Sequence, residues 1–256
     1  LFANLDIDFL KNQTNEKKLS IKAQHVSDDT YFRAHDINTA LVDEDNTNLE
    51  NEIRYSFYDE DAYLDINTSV YNNLRETKSS DKYEYILPNI IYGKSFFNEK
   101  YGSFDLRTNA LFTNYETNKQ KTFLTNDVIW SPTSFISKNG FVSSVAGMLR
   151  NTNYETKNTK DYKDDNTVNE LHSVISYKTG LPMKKDGKKF TKLFLPNLMF
   201  RYAPGHVRDL SSKDVFLDYT NLYSLNKTSE IEDGFSTIIG FDYKINNKNI
   251  NGSESE

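Results

Sequence analysis

Leu1-Phe2-Ala3-Asn4-Leu5-Asp6-Ile7-Asp8-Phe9 is the stretch that decides how the rest of the chain is read. Leu1, Ala3, Leu5, Ile7 and Phe9 fall on one side of an extended backbone, and Asn4, Asp6 and Asp8 fall on the other. Phe2 is the exception. Side chains of a strand point alternately to opposite faces, so a period of two predicts a strand with one apolar and one polar face.

Working outward, the same period returns. Leu19, Ile21 and Ala23 alternate with Lys18, Ser20, Lys22 and Gln24. Leu49, Ile53, Tyr55 and Phe57 oppose Glu50, Glu52, Arg54 and Ser56, and Ala62, Leu64, Ile66 and Val70 oppose Asp65, Asn67 and Ser69. Phe104, Leu106, Ala110 and Phe112 oppose Asp105, Arg107 and Asn109, and Leu171, Ile175 and Tyr177 oppose His172 and Ser176. About eleven such segments are expected, most near the ~9 to 11 residues with which a tilted strand crosses a bilayer. Tyr83 to Tyr92 and Phe190 to Tyr202 carry apolar residues on both faces and a proline each, Pro88 and Pro196. A proline inside a strand predicts a bulge or weakened pairing there.

The expected connections fall into two alternating sets. Those at about 10–17, 58–61, 97–101, 132–139 and 181–191 are comparatively short, with Asp59-Glu60 and Asn98 to Gly102 as tight turns. Those at about 28–47, 75–82, 115–121, 151–168 and 203–233 include all the long ones and are polar, as in Lys160-Asp161-Tyr162-Lys163-Asp164-Asp165. This rhythm fits an antiparallel up-and-down transmembrane β-barrel with short periplasmic turns and long outer loops. The fold class expected is therefore all-β, an incomplete barrel of about eleven strands over 1–245, with 246–256 a polar tail or a truncated next strand. Absence of an initiator Met at Leu1 and of a leader pattern suggests an internal piece of a longer chain.

Composition narrows the classes. No stretch approaches the ~18 to 20 apolar residues of a membrane helix. Aromatics make up 14% of the 256 residues, with 17 Tyr and 17 Phe, a load suited to strands and to the aromatic girdles of a barrel. A net charge of −6 without a basic stripe gives nucleic-acid binding no support. With no cysteine in the sequence, thiol catalysis, thiolate metal sites and disulfides are excluded.

Chemistry-bearing motifs are lacking. His25, His35, His172 and His206 stand in no metal-ligand or catalytic spacing and read as strand-face or loop residues. Asp28-Asp29, Asp43-Glu44-Asp45 and Asp59-Glu60-Asp61 read as solvated turn residues ahead of a cation site. No enzyme activity, cofactor or metal is expected. If the apolar face meets lipid, Leu5, Ile7, Phe9, Ile21, Tyr55, Leu106 and Phe112 are lipid-facing candidates, and Asp6, Asp8, Glu52, Arg54, Asp65, Asp105 and Arg107 are lumen-facing candidates. An ion in hydrocarbon is costly, so the sidedness is strongly fixed. A soluble β-sandwich, with the polar face to water and the apolar face in a core, uses the same period, and alternation alone does not separate the two.

Several segments, in order, resemble the LptD family of lipopolysaccharide-assembly proteins. Val26-Ser27-Asp28-Asp29-Thr30-Tyr31-Phe32 is similar to a family stretch that follows an early barrel strand. Tyr83-Glu84-Tyr85-Ile86-Leu87-Pro88 and Tyr101-Gly102-Ser103-Phe104-Asp105-Leu106-Arg107 resemble two further strands. Leu195-Pro196-Asn197-Leu198 through Tyr202, with Asp218-Tyr219-Thr220-Asn221-Leu222-Tyr223, resembles a later strand and its outer loop. The resemblance covers roughly residues 20 to 245 and implies the middle of the barrel domain, in the outer membrane of a Gram-negative bacterium. It further implies transfer of lipopolysaccharide from a periplasmic β-jellyroll bridge, with LptA as bridge protein. The saccharide passes through a lumen plugged by the lipoprotein LptE, and lipid A leaves through a seam between the first and last strands. The alternatives that remain are another outer-membrane barrel, either a porin or a TonB-dependent receptor, and a soluble secreted β-sandwich binding module.

Overall fold

The computed structural model describes residues 1–9, 15–35, 48–75, 79–115, 119–159, 166–205, 218, 220–226, 232–248 and 254–255. The acidic run at 43–45, the charged run at 160–165 and His206 lie outside the described residues. Eleven long strands are present among the described residues: β1 (Phe2–Phe9), β2 (Glu16–Gln24), β3 (Asn48–Tyr58), β4 (Ala62–Asn73), β5 (Tyr83–Asn98), β6 (Gly102–Tyr115), β7 (Lys119–Ser131), β9 (Val142–Lys157), β10 (Val168–Gly180), β12 (Phe190–Ala203) and β13 (Gly234–Lys248). Three short ones accompany them: β8 (Phe135–Ile136), β11 (Met183–Asp186) and β14 (Glu254–Ser255). Two short helices, α1 (Tyr31–His35) and α2 (Ser79–Lys82), sit in connections.

The strands form one antiparallel up-and-down sheet in the order β1-β2-β3-β4-β5-β6-β7-β9-β10-β12-β13-β14, with β8 beside β9 and β11 beside β12. β1 and β14 are the two ends of that order. By contacts the residues group into two compact units, Leu1–Ser95 with Asp105–Asp127 and Asn151–Leu171, and Phe96–Phe104 with Val128–Arg150 and His172–Glu256.

The tight turns form where the sequence places them. Between β3 and β4 the Asp59 amide donates to the Ala62 carbonyl at 2.7 Å, and the Glu60 amide donates to the Asp59 carboxylate at 2.8 Å. Between β5 and β6 the Asn98 side-chain oxygen accepts from the amides of Lys100 and Tyr101, and Gly102 turns the chain at φ 82°. A side chain there is excluded twice over, by the left-handed φ and by the Pro132 Cα, 2.4 Å from where a Cβ would sit.

Both prolines disturb the ladder. The β4–β5 register shifts between Asn67 and Ser69, opposite Leu87 and Pro88, whose peptide bond is cis. Pro196 keeps its place between β12 and β13, opposite Phe241, but the strand on its other side is interrupted. β10 ends at Gly180, opposite Asn197, and β11 resumes at Met183, opposite Phe194.

Two connections differ from expectation. Residues 116–118 alone separate β6 from β7, and β9 continues to Lys157, so neither 115–121 nor the start of 151–168 is loop. The length rhythm is therefore broken at β6–β7. The reason is that polar residues end an apolar band without ending a strand. Asn151 donates to the Glu170 carbonyl at 3.3 Å, and Asn169 donates to Asn153, so amide side chains tie β9 to β10 beyond the apolar band.

Candidate functional site

In the first unit the registers line the alternation up across five strands. Ile7, Leu19, Tyr55, Ile66 and Ile90 occupy successive partner positions from β1 to β5, and Leu5, Ile21 and Ile53 form the neighbouring row. Leu5, Ile7, Phe9 and Ile53 are exposed. The row nearest the short turns, Phe9, Lys17, Phe57, Leu64 and Tyr92, contains one cation, and the Lys17 ammonium lies 5.6 Å over the Phe57 ring.

The other face is polar and knitted together. Asp6, Ser20, Arg54, Asn67 and Asn89 form one row, and Asp8, Lys18, Ser56 and Asp65 form another. The Ser20 hydroxyl donates to Asp6 at 2.6 Å, and Lys18 lies 3.3 Å from the same carboxylate. Arg54 Nε lies 3.1 Å from Glu52 and 3.7 Å from Asp65, which also accepts from Ser56 at 2.8 Å. Glu50 accepts from Lys22 at 2.6 Å and from the Tyr71 hydroxyl at 2.9 Å. Each exposed pair contributes little by itself. Together they place five of the seven lumen-facing candidates on one surface. On β6, Asp105 accepts from Ser95 at 2.6 Å, while Arg107 is exposed. Leu106 and Phe112 are half-buried at the alternating positions.

Phe2, the sequence exception, has a partner. Its ring centroid lies 5.5 Å from that of Phe32 in α1, and Phe32 joins Val26, Leu49 and Leu74 in a buried cluster. The segment after β2 thus folds back toward the polar-face positions of β1 and covers Phe2. Asp28 starts the turn, its carboxylate accepting from both the amide and the hydroxyl of Thr30 at 2.7 and 2.5 Å. Those hydrogen bonds favour the charged form and hold the Asp28 carboxyl below its ordinary value. Asp29 pairs with Lys82 of α2 at 2.6 Å, which raises the Lys82 pKa.

In the second unit exposure is inverted relative to a soluble protein. The apolar row Ile175, Tyr202 and Phe235 and its neighbours Tyr177, Phe200, Ile239, Phe241 and Tyr243 are exposed, Ile239 by 78% and Phe241 by 68%. The opposite positions hold polar side chains, and Thr191 and Arg201 are each only 2% exposed. Segment 218–226 lies on that buried side. Leu225 packs against Met148, Val174 and Ala203, and its carbonyl accepts from Arg201 Nε at 2.6 Å. The Tyr223 hydroxyl sits where a Cβ on Gly240 would be, 2.5 Å away, and the Lys178 ammonium lies 4.6 Å from the Tyr223 ring. Asp218 repeats the arrangement of Asp28, accepting from the Thr220 amide and hydroxyl at 2.8 and 2.6 Å, with its carboxyl held low by them.

The family model for LPS transport system D, LptD, matches residues 10–248. The chain belongs to the LptD family. No curated protein matches it by sequence. LptD is a β-barrel family of lipopolysaccharide transport to the Gram-negative outer membrane, so the sheet is barrel wall and the protein handles lipopolysaccharide. The two LptD-like loop motifs are the two segments that begin with an Asp-x-Thr turn and pack over the side opposite the exposed apolar rows. Reading the sequence alone missed this covering role. Phe2 at a polar position and Gly240 within β13 were its available signals.

Among the described residues no group of three or more His, Asp or Glu is arranged to hold a metal. His25 ends β2, His35 lies 4.6 Å from the Tyr31 ring, and His172 lies 3.9 Å from Asp233.

Proposed function

We propose that this chain is a section of the lipopolysaccharide translocon wall, with Leu5, Ile7, Phe9, Ile21, Tyr55, Leu106 and Phe112 toward lipid. Asp6, Asp8, Glu52, Arg54, Asp65, Asp105 and Arg107 face the lumen. The observation that carries this is the inverted exposure: apolar rows outward, polar rows paired or buried on the other side. In water, contiguous exposed apolar surface of this extent is unfavourable, whereas in a bilayer it is solvated. Residues 1–245 form the wall, and 246–256 form a tail or the next strand.

The lumen-side rows offer hydroxyls, amides and paired ions, which suit hydrated saccharide. The plug lipoprotein LptE occupies the lumen and LptA delivers substrate on the periplasmic side. Passage requires no covalent step, and the wall residues act by solvating sugar on one face and lipid on the other. Unlike a porin or a TonB-dependent receptor, this wall lies within a match to the lipopolysaccharide-transport family over most of its length.

Ile7→Arg and Leu106→Arg in the full-length protein test the sidedness, because a cation on the lipid face costs about 2–4 kcal/mol near the midplane. Both are expected to lower the folded fraction in the outer membrane, read by heat-modifiable migration, while Asp8→Arg assembles. Normal assembly of both apolar-face variants overturns the assignment. A photo-crosslinking residue at Arg54 is expected to capture LptE or lipopolysaccharide, and one at Ile53 to capture neither.

A further inference from the structure

On the exposed apolar side of the second unit lies a groove of about 370 Å³. Phe104, Val128, Trp130, Leu149, Ile175 and Tyr202 form its walls, and each of them is exposed. Gly147 is its floor. The glycine has no left-handed φ that demands it, and a Cβ there would meet Trp130 Cε3 at 3.6 Å and the Val174 carbonyl oxygen at 3.8 Å, both ordinary contacts. Neither backbone conformation nor crowding therefore explains a residue that weakens a strand. Glycine in a strand also marks a place where another molecule approaches closely, and at this position its effect is to keep the groove open.

We infer that this groove seats one acyl chain of a bilayer phospholipid against the outer wall. The inference rests on the reading that the exposed apolar rows meet lipid, and it adds a specific lipid position to that reading. Three observations favour a chain over a headgroup or a protein segment. No lining residue is charged, so nothing there engages the phosphates of a lipopolysaccharide headgroup. The rim is continuous with the row Ile175, Tyr202 and Phe235, the surface that lipid covers in a barrel of this family. The Trp130 ring is held in place by donation from its Nε1 to the Tyr101 carbonyl at 2.8 Å, so the wall is preformed and a flexible chain conforms to it.

Trp130 is the single tryptophan of this chain, which makes the groove its own reporter. The full-length protein is placed in nanodiscs of phosphatidylethanolamine with brominated acyl chains, and the Trp130 signal is taken as wild type minus Trp130→Phe. The reference is Ile239→Trp on the Trp130→Phe background, an exposed apolar position outside the groove. A seated chain quenches Trp130 about twofold more than the reference, because the chain is held against the ring. Gly147→Leu, which fills the floor, brings quenching down to the reference level. Should that variant fail to assemble, Gly147→Ala must give a smaller fall in the same direction. Equal quenching at both positions, or no response to either Gly147 substitution, overturns the groove and leaves the lipid face standing. Absence of quenching at both positions overturns the lipid face and the groove with it. Loss of quenching when unbrominated lipopolysaccharide is added assigns the groove to lipopolysaccharide and overturns the phospholipid assignment.

Discussion

Phe2 and Phe32 meet at 5.5 Å between centroids, joining the only aromatic residue at the polar positions of β1 to the first helical turn after β2. The contact fixes where the segment lies: Phe32 is 2% exposed, so α1 is anchored by a buried ring, not by its own five residues. An isolated helix of that length is unstable in water. Phe32→Ala is expected to cost about 3 kcal/mol of local stability. Hydrogen exchange over 26–35 checks it, with faster exchange there and unchanged protection in β3 and β4.

The turns at Asp28 and Asp218 respond to acid. Both carboxyls are lowered from 3.8 by the Thr hydrogen bonds, so the folded state prefers the ionised form. Their contribution is fully present above that ordinary value and is lost as the pH falls through the lowered one. Amide exchange at Thr30 and Thr220 is expected to rise on acidification below pH 3.8, the model value of a free aspartate. Asp28→Ala and Asp218→Ala should show the raised exchange already at neutral pH.

Lys82 gives the opposite sign. Asp29 raises its pKa above 10.5, so the tie between the two connections persists through neutral pH and is lost as the pH rises through the raised value. Lys82→Met is expected to abolish this alkaline transition, followed by proteolysis near residue 82.

Tyr63 and Gly93 are opposed in β4 and β5, and a Cβ on Gly93 would lie 2.2 Å from the Tyr63 ring. Gly93→Val is expected to destabilise the sheet by about 1–3 kcal/mol through overpacking. Tyr63→Ala on that background should recover most of the loss, and a double-mutant cycle of denaturant midpoints measures the coupling.

Arg201 holds segment 218–226 through the Leu225 carbonyl. Arg201→Met removes that donor while keeping much of the side-chain length, and a hydrogen bond from a charged group is worth about 1.5–3 kcal/mol. Limited proteolysis is expected to cut between 218 and 226 in the variant before it cuts β12 or β13.

Strand identity and face were legible because neighbouring residues carry them: Leu5, Ile7 and Asp6 alternate whatever they pair with. The tight turns at Asp59 and Asn98 were legible for the same local reason. Strand length was not, since Asn151 and Asn153 are polar yet continue β9 through side-chain amides that find partners on β10. The ends of β2 and β3 show the same physics. Where the ladder stops after Lys22 and Glu52, the Gln24 amide donates to the Asn51 side chain and the Glu50 amide to the Gln24 side chain. Nor was the covering role of 26–35 and 218–226 legible, because Phe32 and Leu225 bury themselves against residues distant in sequence.

Neighbour-only pairing of the long strands has a consequence for biogenesis. Joining each strand to the one before it closes a short span of chain, so the entropy lost at each step is small and the steps are independent of distant parts. Such a wall can be laid down hairpin by hairpin, with one growing margin to shield at any moment. A stalled intermediate is then a shorter version of the same sheet.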